Sequence, residues 1–97
     1  MRRAAKVDTN QKEIVNLLRR LGYSVRCLHR VGDDFPDIIF ADDENHIAEI
    51  KHGKKKLSEG QLEFQVSWKG PIQNFRSLDD VLAFHQKRRE RFYQTED

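Results

Sequence analysis

Asp37, Glu49 and Lys51 are the residues whose types and spacing best suit catalysis. Carboxylate oxygens are the ligands that Mg²⁺ and Mn²⁺ prefer, so two carboxylates held together can bind such an ion. A fixed ammonium beside them can stabilise negative charge that builds up on a phosphate, or help to activate an attacking water. The three side chains therefore predict a metal-assisted site that hydrolyses phosphodiester bonds.

Two predicted strands carry these residues. Asp37 opens the apolar segment 37–40, and Glu49 and Lys51 lie two residues apart in the segment 47–51, so they share one face of a strand. Polar residues at 42–45 predict a turn between the two segments. The two strands are therefore expected to form a hairpin.

The length of the hairpin loop decides whether Asp37 joins Glu49. Direct pairing requires partner numbers that sum to 86 across the hairpin, the sum for these two residues. This register needs an odd loop such as the three residues 42–44, or a bulge with the same effect. Because a loop of even length would leave Asp37 facing away, we predict the odd loop.

Capping and turn signals place the other elements. They are a helix over 8–21, a strand over 23–29, a helix from 58 to about 68, a strand over 72–76 and a helix that opens at 77–80. The order helix, three strands, helix, strand, helix predicts an α/β fold in which one sheet is flanked by helices.

Length and composition favour one globular domain over residues 1–97, and residues 94–97 are expected to fray. No apolar run approaches the roughly 20 residues that span a bilayer, and the basic start lacks an apolar signal core, so neither membrane insertion nor export is expected. The net charge of +2 is small, but basic residues cluster at both ends and in the middle of the chain. Such clusters suit a phosphate backbone, and the alternative is that they are solvated faces and turns.

Several apolar positions carry expectations about burial. Cys27 is the single cysteine, so it cannot form an internal disulfide. Its place in an alternating segment predicts a buried thiol in a reducing compartment. Phe64, Trp68 and Phe84 fit helix faces and are expected in the core.

Four stretches of the chain together form a pattern that is typical of a known family. They are Asn10-Gln11-Lys12-Glu13-Ile14-Val15, Gly32-Asp33-Asp34-Phe35-Pro36-Asp37-Ile38-Ile39, Ala48-Glu49-Ile50-Lys51 and Leu57-Ser58-Glu59-Gly60-Gln61. Through them the chain resembles, from about Asn10 to Ala83, the stand-alone VRR-NUC domains of the PD-(D/E)xK superfamily.

The resemblance implies a restriction-endonuclease-like fold, with an αβββαβ core, a mixed sheet flanked by helices, and a C-terminal helix. It implies that a Mg²⁺ or Mn²⁺ ion is held by two strand carboxylates, a helix carboxylate and one backbone carbonyl. By this resemblance the catalytic residues are Glu13, Asp37, Glu49, Lys51 and Gln61, and the metal ligands are Glu13, Asp37, Glu49 and the carbonyl of Ile50.

Small stand-alone members of that family are encoded by phages and bacteria, and they act as dimers that cut branched DNA such as four-way (Holliday) junctions. The resemblance therefore implies branched DNA and a second copy as partners, in the cytoplasm of a bacterial or phage-infected cell, with neither a membrane nor an organic cofactor. Two-fold symmetry would supply a second pocket for the second strand. The last helix or the outer sheet edge is the expected contact.

Several roles stay open on the sequence alone. Glu13 also fits a solvent-facing helix position, and Gln61 also completes a capping box with Ser58. The basic residues nearest the predicted site and at the start of the chain are candidate DNA contacts or solvated segments. These residues are Lys54, Lys55, Lys56, Arg2 and Arg3.

The chain departs from the family at Asp33-Asp34-Phe35, where members often carry small or glycine residues before Pro-Asp. Extra negative charge at this point would bind metal or repel DNA, which bears on substrate preference more than on catalysis. The alternative function is a DNA-binding or assembly module that keeps the nuclease fold without turnover.

Overall fold

The computed structural model describes the backbone of residues 9–94 and the side chains of residues 10–91. Its element order is the one predicted, and differences at the boundaries are a few residues. The elements are α1 (Thr9–Arg20), β1 (Ser24–Cys27), β2 (Ile38–Ala41), β3 (Asn45–Ile50), α2 (Glu59–Ser67), β4 (Gln73–Phe75) and α3 (Leu78–Gln94). The basic start of the chain lies outside the described residues, and so do residues 95–97 of the segment 94–97 that was expected to fray.

The four strands form one mixed sheet in the order β1-β2-β3-β4. β1, β2 and β3 are antiparallel neighbours, whereas β4 runs parallel to β3. A parallel neighbour needs a crossover connection, and α2 lies in the segment that makes it. The predicted α/β class, a mixed sheet flanked by helices, is therefore confirmed.

The hydrophobic core fills the space between one face of the sheet and helices α1 and α3. α1 carries buried residues at helical spacing along one face, and alternate residues of the strands pack against that face. The buried residues are Ile14, Val15, Leu18, Tyr23, Val25, Ile38, Phe40, Ala48, Ile50, Phe75 and Val81. Phe84 packs against them from α3, as expected.

α2 contacts the opposite face of the sheet through polar groups. Gln65 and Asn74 of β4 exchange two side-chain hydrogen bonds, of 2.8 and 3.2 Å, and Gln61 bonds to Glu49 of β3. Glu49 and Asn74 are partners across the β3–β4 pairing, so the two glutamines, one helical turn apart, match two neighbouring strand residues. None of the residues of α2, all of them described, is buried.

The core position expected for Trp68 is wrong, and Phe64 lies outside the core as well. Trp68 is 43% exposed and Phe64 is half-buried, because α2 meets the sheet through its glutamines and not through its apolar side chains. The prediction rested on the apolar spacing in α2, and that spacing does not indicate which face of the helix contacts the sheet.

The buried thiol expected at Cys27 is also wrong. Cys27 is exposed, since β1 is an edge strand and only Val25 of its four residues is buried. The amide of Gln11 approaches the Sγ atom at 3.6 Å. Alternation at the end of an edge strand therefore did not decide burial.

The hairpin turn at 42–44 is tied to α3 by one arginine. The Arg88 guanidinium contacts the carboxylates of Asp42, Asp43 and Glu44 at 2.8–3.0 Å. Asp42 also accepts a hydrogen bond of 2.9 Å from Nε2 of the buried His46 ring. This network lies at the end of the hairpin opposite Asp37 and Glu49.

Among the helices of residues 9–94, none is long and apolar enough to cross a bilayer.

Candidate active site

The β2–β3 register is the one predicted. Ile38 pairs with Ala48 and Ala41 pairs with Asn45, so partner numbers sum to 86 and the loop has the three residues 42–44. This confirms the odd loop. Continuing the same register one position places Asp37 opposite Glu49, on the face of the sheet that α2 covers.

Asp37 is held firmly at the start of β2. Its Oδ2 accepts a hydrogen bond of 2.7 Å from the backbone N–H of Ile50, across the hairpin. Its own N–H donates to the carbonyl of Ala48, and its carbonyl accepts from the N–H of Leu28 on the β1 side. Bonds on both flanks fix the direction of the carboxylate, which leaves it beside Glu49.

Glu49 is a buried carboxyl, only 3% exposed. Burial, followed by the hydrogen bond with Asp37 and the charge of that residue, raises the pKa of Glu49 to about 8, although the charge of Lys51 acts in the opposite direction. Without a cation, Glu49 therefore keeps its proton near neutral pH and can donate it in a hydrogen bond to Asp37. A divalent cation in place of that proton would relieve their repulsion.

Lys51 follows β3 directly and is half-buried beside the two acids. Its ammonium is close enough to Glu49 to lower that residue's pKa. The backbone of Lys51 is pinned on both sides, since its N–H donates to the carbonyl of Phe75 and its carbonyl accepts from the Asn10 amide at 3.0 Å. Asn10 thereby brings the start of α1 to the site end of β3.

Gln61 has both of the roles that the sequence left open. Its backbone N–H donates to the Oγ of Ser58 and its Oε1 accepts from the Ser58 N–H, which completes the capping box. Its Nε2 donates to Oε2 of Glu49 at 2.9 Å. The Gln61 side chain therefore links the start of α2 to Glu49, a candidate metal ligand.

Glu13 is exposed on α1, one turn after Asn10. Within residues 10–91, no third acidic, histidine or cysteine side chain stands close enough to Asp37 and Glu49 to complete a cluster of three. The structure thus brings Asp37, Glu49, Lys51 and Gln61 together and leaves Glu13 apart from them. Its proposed role stays a prediction.

The lysine loop, Lys54 to Lys56, is exposed between β3 and α2. Arg76 holds its backbone, because the guanidinium donates to the carbonyls of Gly53 and Lys55. The loop is therefore anchored near the site while its ammonium groups face solvent. Arg2 and Arg3, the other predicted DNA contacts, lie outside the described residues.

Asp34 is a nearby charge whose position the sequence did not reveal. Asp33 and Asp34 both have positive φ, at 56° and 61°, after Gly32 at 77°, so three successive residues are left-handed. This loop carries the Asp34 carboxylate against Gly60 near the start of α2, where a Cβ atom would collide with it. The charge of Asp34 is also one of the causes that raise the pKa of Glu49.

The donor chemistry of this site fits a hard divalent cation. Mg²⁺ is usually bound through one or two carboxylates, and water and substrate phosphate oxygens complete its octahedral shell. Asp37 and Glu49 supply two such carboxylates in contact, and the carbonyl of Ile50 lies between Glu49 and Lys51 on the chain. No sulfur or imidazole ligand is needed for such an ion.

No family model matches the chain, and no curated protein or solved structure is significantly similar to it.

Proposed function

We propose that the protein is a metal-dependent DNA endonuclease of the PD-(D/E)xK kind, similar to the stand-alone VRR-NUC domains. The observation that carries this proposal is the contact between Asp37 and the buried Glu49, with Lys51 beside them, at one end of a hairpin. Burying two acids in contact costs stability, and such strain is common where function requires it. The element order αβββαβ followed by a last helix supports the same family.

Each residue of the site has a defined task in phosphodiester hydrolysis. Asp37 and Glu49 would hold a Mg²⁺ or Mn²⁺ ion, together with the Ile50 carbonyl. When bound, such an ion would lower the pKa of a coordinated water and polarise a phosphate oxygen. Lys51 stabilises the negative charge that develops on the phosphate, or orients the attacking water. Gln61 fixes the orientation of the Glu49 carboxylate.

The proposed substrate is DNA, and among DNAs it is branched DNA such as a four-way junction. The anchored lysine loop directly follows the catalytic strand, so its charges lie where a phosphate backbone would enter the site. A homodimer would place two sites on two strands. Both the branched substrate and the dimer rest on the resemblance.

Cleavage of a labelled four-way junction beside linear duplex tests this function. With Mg²⁺ or Mn²⁺ we expect cutting of the junction, no cutting with EDTA, and a loss of about 100-fold or more in Lys51→Ala. The matched control is Lys87→Ala, an exposed lysine on α3, which should cut at nearly the wild-type rate. Binding of DNA without cutting, with either metal, would favour the non-catalytic DNA-binding module instead.

A further inference from the structure

Three aromatic rings form a cluster outside the hydrophobic core, made of Phe35, Phe64 and Trp68. Phe64 and Trp68 are stacked, with centroids 5.1 Å apart and an interplanar angle of 16°. Phe35 meets both rings edge-on, at 5.2 and 5.9 Å. Phe35 and Phe64 are half-buried, whereas 43% of the Trp68 surface is exposed. Trp68 therefore packs against Phe35 and Phe64 and still presents part of its surface to solvent.

This aromatic cluster borders the candidate active site. Phe35 precedes Asp37 by two residues, and the left-handed loop that ends at Asp34 delivers it to α2. Phe64 lies one turn after Gln61, whose amide holds the Glu49 carboxylate. A nucleotide close to the scissile phosphate would reach the rings without leaving the surface around the two acids.

The charges around the aromatic cluster favour a base over a backbone. Exposed Glu59 and Glu63 lie on α2 itself, and they would repel phosphates laid along the helix. Lysines flank the helix instead, in the loop of Lys54 to Lys56 before it and at Lys69 after it. Phosphates would thus be held at the two ends, while the ring surface between them accepts the uncharged face of a base.

We propose that Trp68, supported by Phe35 and Phe64, stacks on a base beside the scissile phosphate that has lost a stacking neighbour, and selects DNA that contains such exposed bases. This inference rests on the proposed nuclease function. A base inside a duplex keeps its faces covered by its neighbours, so only a base at a flap, gap or branch offers a face to Trp68. Trp68 is thereby a specificity-determining residue and takes no part in the hydrolysis.

Trp68 is the only tryptophan, so its fluorescence reports on this surface alone. The Lys51→Ala variant in Mg²⁺ binds DNA without cutting it, and two probes of equal length are titrated against it. One is a fully paired duplex and the other carries a flap of unpaired thymidines. We expect the flap to quench the emission of Trp68 strongly, and the duplex to leave it nearly unchanged.

Affinity measured by anisotropy of labelled DNA gives the second readout. In the same background, Trp68→Ala should weaken flap binding by about tenfold and leave duplex binding within about twofold. Trp68→Phe should restore most of the lost affinity, which separates stacking from a folding defect. Val66→Ala is the matched control, because Val66 is an apolar α2 residue that is 87% exposed and lies outside the aromatic cluster.

The outcomes separate this inference from the nuclease proposal. Equal flap affinity with and without Trp68 in the Lys51→Ala background, while the wild-type chain cuts DNA, overturns stacking and leaves the nuclease function standing. Emission that changes with protein concentration and not with DNA also overturns stacking, since a second copy then covers the surface. A wild-type chain that neither binds nor cuts any of these DNAs overturns both proposals.

Discussion

At the scale of single residues, Glu49 is the most consequential side chain because it is buried where its charge is unfavourable. Burial and the adjoining Asp37 raise its pKa to about 8, from an ordinary value of 4.5. Between pH 4.5 and about 8, Glu49 therefore keeps its proton in the folded protein but has lost it in the unfolded chain. The contribution of Glu49 to stability is fully present below pH 4.5 and is lost as pH rises towards 8.

Glu49→Gln should remove this pH dependence. An amide can accept from Gln61 and donate to Asp37 as the protonated acid does, but it never becomes charged. In EDTA, we expect the variant and the wild type to melt at similar temperatures near pH 4.5, and the variant to melt several degrees higher above pH 8. Thermal unfolding by circular dichroism at a series of pH values measures the difference. Glu63→Gln, the same substitution at an exposed glutamate of α2, is the control. A difference that stays constant with pH would contradict the prediction.

The register of the site could be predicted from the sequence because side chains in strands alternate with a period of two. Once Asp37 and Glu49 were required to share a face, only an odd loop satisfied the hairpin, and the loop of three residues follows. The position of Asp34 could not be predicted in the same way. Two successive aspartates with positive φ are uncommon, and no local pattern announces them.

At the scale of elements, α2 depends on polar contacts and on a close approach by the preceding loop. Gln61 and Gln65 attach it to the sheet, and Asp34 lies against Gly60 in its first turn. A carboxylate near the start of a helix is favoured by the helix dipole. A Cβ atom at position 60 would collide with that carboxylate, so a side chain there would require Asp34 to move.

Gly60→Ala tests this approach through a double-mutant cycle with Asp34→Gly. Alanine in a helix is intrinsically better than glycine by up to about 1 kcal/mol, so Gly60→Ala should stabilise the Asp34→Gly protein. In the wild-type background the displaced Asp34 carboxylate should cancel most of that gain. Urea unfolding of the four proteins gives the coupling energy, expected at about 0.5 kcal/mol or more. Additive changes would mean that Asp34 does not constrain Gly60.

The aromatic residues show where prediction at this scale fails. Phe64, Trp68 and Phe84 all have helical spacing typical of a core, yet only Phe84 packs against the buried cluster. Apolar spacing identifies a face of a helix and not the partner of that face. The face of α2 that contacts the sheet is the one with Gln61 and Gln65. Gln61 bonds to Glu49, and Gln65 bonds to Asn74.

At the scale of the whole molecule, the two ends of the β2–β3 hairpin are specialised differently. One end holds the candidate site, and the turn at the other end is fastened to α3 by Arg88. α3 also packs on the core through Val81 and Phe84. The hairpin is therefore fixed to the body at the end away from the site, which helps to keep Asp37 and Glu49 in register.

Arg88→Ala should release this fastening. The Arg88 side chain is only 12% exposed and contacts three carboxylates, so its loss should cost about 1–2 kcal/mol, whereas Lys87→Ala on the exposed side of α3 should cost little. Partial burial by itself would raise the pKa of Asp42. Hydrogen bonds from Arg88, the Glu44 backbone and His46 outweigh burial and hold that pKa well below its usual value. The ionised Asp42 carboxylate therefore stabilises the folded protein above pH 3.8, and this contribution is lost as pH falls below that value. The cost of Arg88→Ala, measured by urea unfolding, should therefore shrink in strong acid, and a cost that is independent of pH would contradict the network's role.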